Sequence, residues 1–178
     1  MIKLNIEEVQ NKLKIPIRRC STSLGLDVAS RTGWCVIKSD SETLDIDYGF
    51  IKIDSKDIYF KFSRFLQSMR DIIKTEHRVI IEDSFLGHLN PWTMKTLSKM
   101  EGIAYSVAVQ KDAEYVEFIM ASSARKQVGV KGTSKKIEVY TWLKDTLNLD
   151  VKDEDAADAV ILALYGLIVK ERENVKKA

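Results

Sequence analysis

Four acidic residues stand at positions where a solvated surface would not require them. Asp27 and Glu82 each end a short apolar segment that reads as a buried strand. Asp155 and Asp158 lie three residues apart at the start of an apolar helix, so they share one helix face. Ligands of open α/β sheets bind at the carboxyl ends of parallel strands. If the two strands are parallel neighbours, Asp27 and Glu82 face one crevice, and the helix start would add the other two acids.

Crowded carboxylates of this kind predict a divalent cation. Several carboxylates in one crevice repel each other strongly unless a cation neutralises them. Oxygen ligands without histidine or thiolate suit Mg²⁺ or Mn²⁺ rather than zinc. Two such ions, ~3.5–4 Å apart, would activate a water and stabilise the leaving oxygen in phosphodiester hydrolysis. Any one acid alone is better interpreted as a turn residue, a helix N-cap such as Asp153, or a solvated side chain, so the combination carries the hypothesis.

A basic segment without acids runs from residue 121 to residue 137. Two glycines, Gly129 and Gly132, make it flexible or loop-like. This composition suits the closely spaced phosphates of a DNA duplex, although a solvated charged loop is the alternative. Beside a metal site, we favour phosphate binding by the five cations, which are Arg125, Lys126, Lys131, Lys135 and Lys136.

Phe85 begins a loop directly after the strand that ends at Glu82. An aromatic ring in an exposed loop can stack on an unpaired base, which contributes ~1–3 kcal/mol per base. The competing interpretation is a core anchor that holds the loop against the domain. His88, in the same loop, is interpreted as a loop residue rather than a metal ligand, because no second histidine lies nearby.

Hydrophobic periodicity predicts the elements that must position these groups. Three strands precede a helix, and then a strand, a helix, a strand and two helices follow. This order predicts an α/β fold, a mixed sheet with helices on both faces. The strands are expected at residues 21–28, 34–37, 48–53, 78–82 and 115–120, and the helices at residues 56–76, after Pro91, at residues 137–147 and at residues 155–170.

Composition limits the class of protein. The chain has 178 residues, with 28 basic and 26 acidic residues and a net charge of +2, which suits one globular domain. Two cysteines cannot form a disulfide framework or a four-thiolate zinc site. With no secretory segment and no long uncharged apolar run, we expect a cytoplasmic protein with no membrane partner and no small-molecule cofactor. Residues 1–19 form a basic arm or a short helix packed on the single domain, residues 20–178, and Pro16 would break a helix begun at Ile6.

These motifs together resemble those of the RuvC-type Holliday-junction resolvases. Residues 24–27 followed by residues 30–34 resemble the opening hairpin of that family, and residues 81–85 are similar to its second motif. The Asp-Ala-Ala-Asp-Ala sequence of residues 155–159 resembles its final motif, and residues 125–136 resemble its basic segment. The resemblance runs from about residue 21 to residue 167.

The resemblance implies an RNase H-like fold, with a mixed five-stranded sheet, and a homodimeric endonuclease that nicks two opposed strands of a four-way DNA junction. It implies dependence on Mg²⁺, and with the carboxylate chemistry above we expect two ions per active site, with Mn²⁺ as a substitute. The helix from Trp92 to Gln110 resembles the dimer interface of the family, and burial of its apolar face against the sheet is a competing use. Phe85 matches an aromatic that stacks on bases at the opened crossover, and Arg125 and Lys136 match residues that hold phosphates near the scissile bond. The implied metal-binding and catalytic acids are Asp27, Glu82, Asp155 and Asp158.

The chain departs from the family pattern in three places. Arg125 stands where a lysine is common, and Lys126 could take that role instead. Val28 replaces the usual proline after the first aspartate. The arm, residues 1–19, has no counterpart in the typical bacterial enzyme, which makes a phage or prophage member plausible and places it in a bacterial cell or a phage-infected host.

Three other functions compete with junction resolution. An RNase H-fold nuclease for another substrate, such as an RNA–DNA hybrid or flap or fork DNA, would use the same acids. An actin-like ATPase or kinase fragment could use Asp27 and the Gly25 region at phosphates, but that family needs two such subdomains and 178 residues leave no room. A catalytically inactive DNA-binding module is disfavoured because all four acids are present.

Overall fold

The structure is a computed structural model that describes residues 2–84, 90–151 and 153–169, without the side chains of residues 154 and 155. Within these residues there are six strands and six helices. In chain order the elements are β1 (Ile2–Asn5), α1 (Ile6–Leu13), β2 (Ser21–Asp27), β3 (Arg31–Ser39), β4 (Thr43–Lys52), α2 (Ile58–Ile72), β5 (His77–Glu82), α3 (Pro91–Gln110), β6 (Tyr115–Ile119), α4 (Ala121–Gln127), α5 (Lys136–Leu147) and α6 (Glu154–Gly166).

The strands form one mixed sheet in the order β1-β4-β3-β2-β5-β6. Strands β2, β3 and β4 are antiparallel neighbours, whereas β5 runs parallel to β2, and β6 runs parallel to β5. The α/β fold with a mixed sheet is therefore confirmed, but the expectation of five strands was wrong by one. The additional strand is β1, whose residues pair antiparallel with residues 43–46 of β4 and extend that edge of the sheet.

Helices cover both faces of the sheet, as the order of elements predicted. Successive residues of β2 point to opposite faces. Leu24 and Leu26 pack with buried residues of α2 and α3 such as Phe65 and Met100. Gly25 points to the other face, where α6 crosses the sheet. Helices α1, α4 and α5 contribute buried side chains to the core on that same face.

Helix α6 lies in backbone contact with β2. A Cβ atom built on Gly25 would lie 2.2 Å from the carbonyl oxygen of Ala159, and one built on Gly166 would lie 2.1 Å from Ser23 Oγ. Only glycine permits this approach, and the result is a helix held against the centre of the sheet along its length. Although α6 is apolar, none of the described helices combines the length and apolarity needed to cross a bilayer.

The predicted end of the last helix at residue 170 lies outside the described residues, and the helix itself ends earlier, at Gly166. Beyond it the chain runs antiparallel to the segment before β2. Ile168 bridges Ile17, and the backbone N–H of Arg18 donates to the carbonyl of Leu167 at 2.7 Å. Hydrogen bonds to this distant segment replace those that a continued helix would have made.

The N-terminal arm contains β1 and α1. Asn5 caps the helix, since its side-chain oxygen accepts from the backbone N–H of Glu8 at 3.1 Å. The helix buries Ile6, Val9 and Leu13 in the core. It ends at Leu13, and the following residue, Lys14, caps it with a left-handed φ of 55°. The arm is thus a strand and a short helix packed on the rest of the domain.

Candidate active site

The parallel pairing of β2 and β5 brings Asp27 and Glu82 together. Leu26 is paired with Ile81, so the two acids follow at adjacent carboxyl ends of the sheet. Side chains two positions apart in a strand lie on the same face of the sheet. Asp27 and Glu82 each follow, by two positions, a residue that faces α6, so both point toward α6. Asp158, in the first part of α6, reaches the same place. Burial is deep, with Asp27 7% and Asp158 4% exposed.

Glu82 shows the electrostatic result of this crowding. The pKa of Glu82 is raised to about 9. Burial of the carboxyl is the largest cause, followed by repulsion from Asp27, a hydrogen bond to Asp27 and the charge of Asp158. The positive charge of Arg125 opposes the shift. At neutral pH the Glu82 carboxyl therefore keeps its proton and donates it to Asp27.

Arg125 neutralises the second buried aspartate. Its Nε and Nη2 atoms donate to Asp158 Oδ1 at 3.2 Å and 2.7 Å, and its Nη1 atom donates to the carbonyl of Ser134 at 2.9 Å. The Arg125 side chain is only 13% exposed. One guanidinium thus joins α4, α6 and the turn before α5. A charge-assisted contact of this geometry is among the stronger interactions in a protein.

Lys136 approaches the first aspartate. As the first residue of α5, it places its Nζ atom 3.6 Å from Asp27 Oδ2. The lysine side chain is 43% exposed, whereas that of the aspartate is 10% exposed. The cation therefore lies at the mouth of the crevice, between the buried carboxylate and solvent.

The carboxylate donors fit a hard divalent cation. Asp27 and Glu82 are adjacent carboxyl groups, and carboxylate oxygens are the ligands that Mg²⁺ and Mn²⁺ prefer. In the described part of the chain, no three such groups converge closely enough to hold an ion as they stand. Asp158 is turned toward Arg125. The predicted fourth ligand, Asp155, belongs to the first turn of α6, but its side chain lies outside the described set.

The basic segment is more ordered than the sequence suggested. Residues 121–127 form helix α4, and Ala124 and Val128 anchor it in the core. The expectation of a flexible or loop-like segment was thus wrong for its first half. The turn that follows packs back on α4, because a Cβ atom on Gly132 would lie 2.8 Å from the carbonyl oxygen of Ser122.

The other predicted DNA-binding residues lie around the crevice. Lys126, Lys131 and Lys135 are exposed on α4, on the turn and at the start of α5. Phe85 lies outside the described residues. A cavity of about 330 Å³ opens beside Glu82, between the ends of β5 and β6 and the start of α4. The structure thus gathers three predicted acids and two predicted cations, with three further cations outside them.

Sequence reasoning missed two contacts that brace this site. Arg31, after the turn that follows Asp27, pairs with Asp153 immediately before α6, and its guanidinium lies 3.6 Å from the centre of the Phe50 ring. On the other side, Glu101 of α3 is 8% exposed and accepts hydrogen bonds from the backbone N–H and hydroxyl of Ser84. The only sequence signal for the second contact was an acid on the apolar face of a helix.

Comparison with protein families gives one match that spans most of the domain. The family model described as "Crossover junction endodeoxyribonuclease RuvC" matches residues 23–165. A RuvC of Acinetobacter baylyi is 30% identical over 146 residues, which cover 79% of this chain and 80% of that protein. A RuvC of Helicobacter hepaticus is 27% identical over 149 residues, with 79% and 80% covered.

Solved structures share the fold. The Thermus thermophilus RuvC structure aligns with a TM-score of 0.66 at 16% identity, covering 83% of this chain and 98% of that one. The same enzyme in complex with a Holliday junction substrate gives a TM-score of 0.60 at 16% identity, with 82% and 91% covered. The yeast mitochondrial Holliday junction resolvase gives a TM-score of 0.60 at 12% identity, covering 89% of this chain and 82% of that one.

At such low sequence identity these structures show the fold alone, and they confirm the RNase H-like fold. The family match includes most of β2, all of β5 and most of α6, and hence the strand-end acids and Asp158. The chain belongs to the RuvC family of crossover junction endodeoxyribonucleases.

Proposed function

We propose that this protein resolves four-way DNA junctions by metal-dependent nicks in two opposed strands. The observation that carries the proposal is that Asp27, Glu82 and Asp158 lie at one sheet edge, with Arg125 and Lys136 in contact with two of them. Membership of a family of junction endonucleases supports the choice of substrate. We place the reaction in the cytoplasm of a bacterium or of a phage-infected host, where such junctions arise.

We propose Mg²⁺, with Mn²⁺ as a substitute and two ions per site, as the cofactor of this metal-dependent family. The residues that would hold the ions are Asp27, Glu82, Asp155 and Asp158. The chemistry supplied by two bound ions is activation of a water and stabilisation of the leaving oxygen. For its part, the protein must release the proton that Glu82 shares with Asp27, because a protonated carboxyl is a poor cation ligand.

Arg125 and Lys136 are proposed to exchange partners when DNA binds. In the structure each contacts a buried aspartate. A scissile phosphate would bring its own negative charge to the crevice, and either basic side chain could reorient to it, which would leave its aspartate available to hold an ion. Lys126, Lys131 and Lys135 extend the positive surface outward for the adjoining backbone phosphates. We propose Phe85 as the residue that stacks on a base at the opened crossover.

We propose a homodimer built on α3, because paired nicks require two active sites and a twofold axis supplies them most simply. Exposed apolar side chains lie along one side of this helix and on the adjacent edge strand. They are Tyr105, Val109, Phe118 and Met120, exposed by 40–52%. The rings of Tyr105 and Phe118 are 5.6 Å apart, so they form one continuous patch. The occupant that we propose for this patch is a second copy of the chain.

The deciding experiment separates chemistry from binding. We expect Asp27→Asn, Glu82→Gln and Asp158→Asn each to abolish junction cleavage in Mg²⁺, because each removes a metal ligand. Junction binding in Ca²⁺ should survive, since the basic side chains supply most of the affinity for DNA. Asp155→Asn should follow, with a smaller loss.

The matched control is Asp145→Asn, which removes an exposed carboxylate from α5 away from the crevice and should leave the rate unchanged. The substrates are a four-way junction, an RNA–DNA hybrid, and flap and fork duplexes. Full activity of Asp27→Asn would end the metal hypothesis. A wild-type protein that cuts the hybrid or the fork in preference to the junction would overturn the proposed substrate.

A further inference from the structure

A second cleft lies at the same edge of the sheet as the carboxylates, but on the opposite face. It has a volume of about 240 Å³ and opens between the starts of α2 and α3. Four segments that leave this edge form its walls: the turn after β2, the chain after β4, and the first turns of the two helices. The lining residues used below are Ser30, Ser55, Lys56, Lys61, Trp92 and Thr93.

Trp92 is the exposed feature of this cleft. Its side chain is 75% exposed, whereas Trp34 and Trp142 are half-buried. It stands in the first turn of α3, where Asn90 caps the helix by accepting from the backbone N–H of Thr93 at 2.9 Å. The backbone that carries the indole is therefore held by a capped helix. An exposed ring on a rigid support is the arrangement that proteins use to stack on unpaired bases.

The charges of the cleft favour an anion. Lys56 and Lys61 line it, and none of its lining residues in the described part of the chain is a carboxylate. Neither lysine is ion-paired within the ranges that the structure describes. The nearest acid in sequence, Asp57, is engaged elsewhere, because its Oδ1 atom accepts from the backbone N–H groups of Tyr59 at 2.8 Å and Phe60 at 3.2 Å. Two cations beside a ring match the phosphate and the base of one nucleotide.

The cleft is separate from the surface that we assign to the dimer. Trp92 and Tyr105 are thirteen positions apart along α3, which places them about 140° apart around a helix of 3.6 residues per turn. Trp92 faces the α2 side, whereas Tyr105 contacts Phe118 on the edge strand. A second copy on the patch of Tyr105 and Phe118 would therefore leave the cleft open.

We infer that this cleft binds an unpaired nucleotide of the DNA substrate, with its base against Trp92 and its phosphate between Lys56 and Lys61. The inference rests on the proposed function for its choice of DNA. The cleft adds a contact on the face of the sheet opposite the carboxylates. A DNA strand that leaves the crevice and passes over the sheet edge would therefore be bound a second time. Ser30, three residues after Asp27, lies where the two sites adjoin.

The test is binding of a single-stranded oligothymidine to the full chain in Ca²⁺, measured by gel shift and by quenching of tryptophan fluorescence. We expect Trp92→Ala to weaken binding at least about fivefold without changing its salt dependence, because stacking involves no charge. Trp92→Phe should retain most of the affinity but lose most of the quenching. Lys56→Ala and Lys61→Ala should each lower the slope of log affinity against log salt by about 0.7.

Two control variants match these changes. Tyr59→Ala removes a ring that is 83% exposed on α2 but outside the cleft, and Lys38→Ala removes an exposed cation on β3 at the opposite end of the sheet. Both should bind the oligonucleotide as the wild type does.

Three outcomes would overturn the inference. One is wild-type oligonucleotide binding by Trp92→Ala. Another is an equal loss of affinity in Tyr59→Ala. The third is a Trp92→Ala variant that binds weakly but sediments as a monomer where the wild type is a dimer, since Trp92 would then act as a subunit contact. A wild-type protein that fails to cut junctions would refute the proposed function, yet the oligonucleotide result would stand by itself.

Discussion

Replacing Gly25 by alanine should disturb the active site from within the core. The added Cβ atom would lie 2.2 Å from the carbonyl oxygen of Ala159, 2.5 Å from the backbone nitrogen of Ala163 and 2.8 Å from Leu162 Cβ. None of these atoms is the end of a flexible side chain, so β2 and α6 must separate. The closest of the three belongs to the residue directly after Asp158.

The size of the effect follows from the required displacement. An ordinary contact of about 3.4 Å demands a shift of roughly 1 Å, and overpacking of this kind typically costs about 1–3 kcal/mol. For a chain of this length, each kcal/mol lowers the melting temperature by about 2–4 °C. A misplacement of about 1 Å can lower a catalytic rate by about 10²-fold. We therefore expect a rate loss much larger than the modest loss of stability would suggest.

The assay combines thermal melting with single-turnover junction cleavage in Mg²⁺. Gly102→Ala is the matched control, because a Cβ atom there meets nothing within 4 Å and the residue lies inside α3. That variant should melt slightly higher, by the equivalent of about 0.5–1 kcal/mol, so it serves as the control for stability. A Gly25→Ala protein that melts and cuts like the wild type would refute the argument that backbone contact positions Asp158.

Three further predictions follow from the fold and the site. In the metal-free protein, the pKa of Glu82 is raised from 4.5 to about 9, so the folded state holds a proton that the unfolded state releases. The free energy of unfolding should therefore fall as pH rises through this window, and thermal melts of Glu82→Gln should show a flatter pH dependence. Phe85→Ala should slow cleavage of an intact junction more than that of a junction with unpaired bases at the crossover, whereas equal losses with a lower melting temperature would make Phe85 a core anchor. Removal of residues 1–19 should lower the melting temperature, because the arm buries apolar side chains of α1, but junction cleavage should persist, since β1 lies at the end of the sheet away from the carboxylates.

The acids on the strands could be predicted because short-range patterns locate them. Alternating apolar residues identified β2 and β5, and the end of each pattern marked Asp27 and Glu82. The only long-range assumption was that these strands are parallel neighbours, and their pairing confirms it. Helical spacing likewise placed Asp158 on one face of α6. A site built from the ends of regular elements carries its own sequence signal.

What could not be predicted depends on tertiary contacts. Strand β1 has only four residues, too few for an alternating pattern to stand out, and pairing with β4 defines it. Helix α4 follows β6 after a single residue and was hidden by its polar composition. Nothing local indicated that Arg125 would bond to Asp158, 33 residues away, or that Arg31 would pair with Asp153, 122 residues away.

The order in which the chain is made gives the topology a further consequence. The crevice needs β2, then β5, which pairs beside it only after three intervening elements, and finally α6, the last helix of the described chain. Contacts this distant in sequence form slowly, because loop closure must precede them. During synthesis, a ribosome-bound chain that has not yet released α6 lacks Asp158 as well as the helix that covers the sheet. On the proposed function, the chain therefore gains its complete site only after α6 has docked against the sheet.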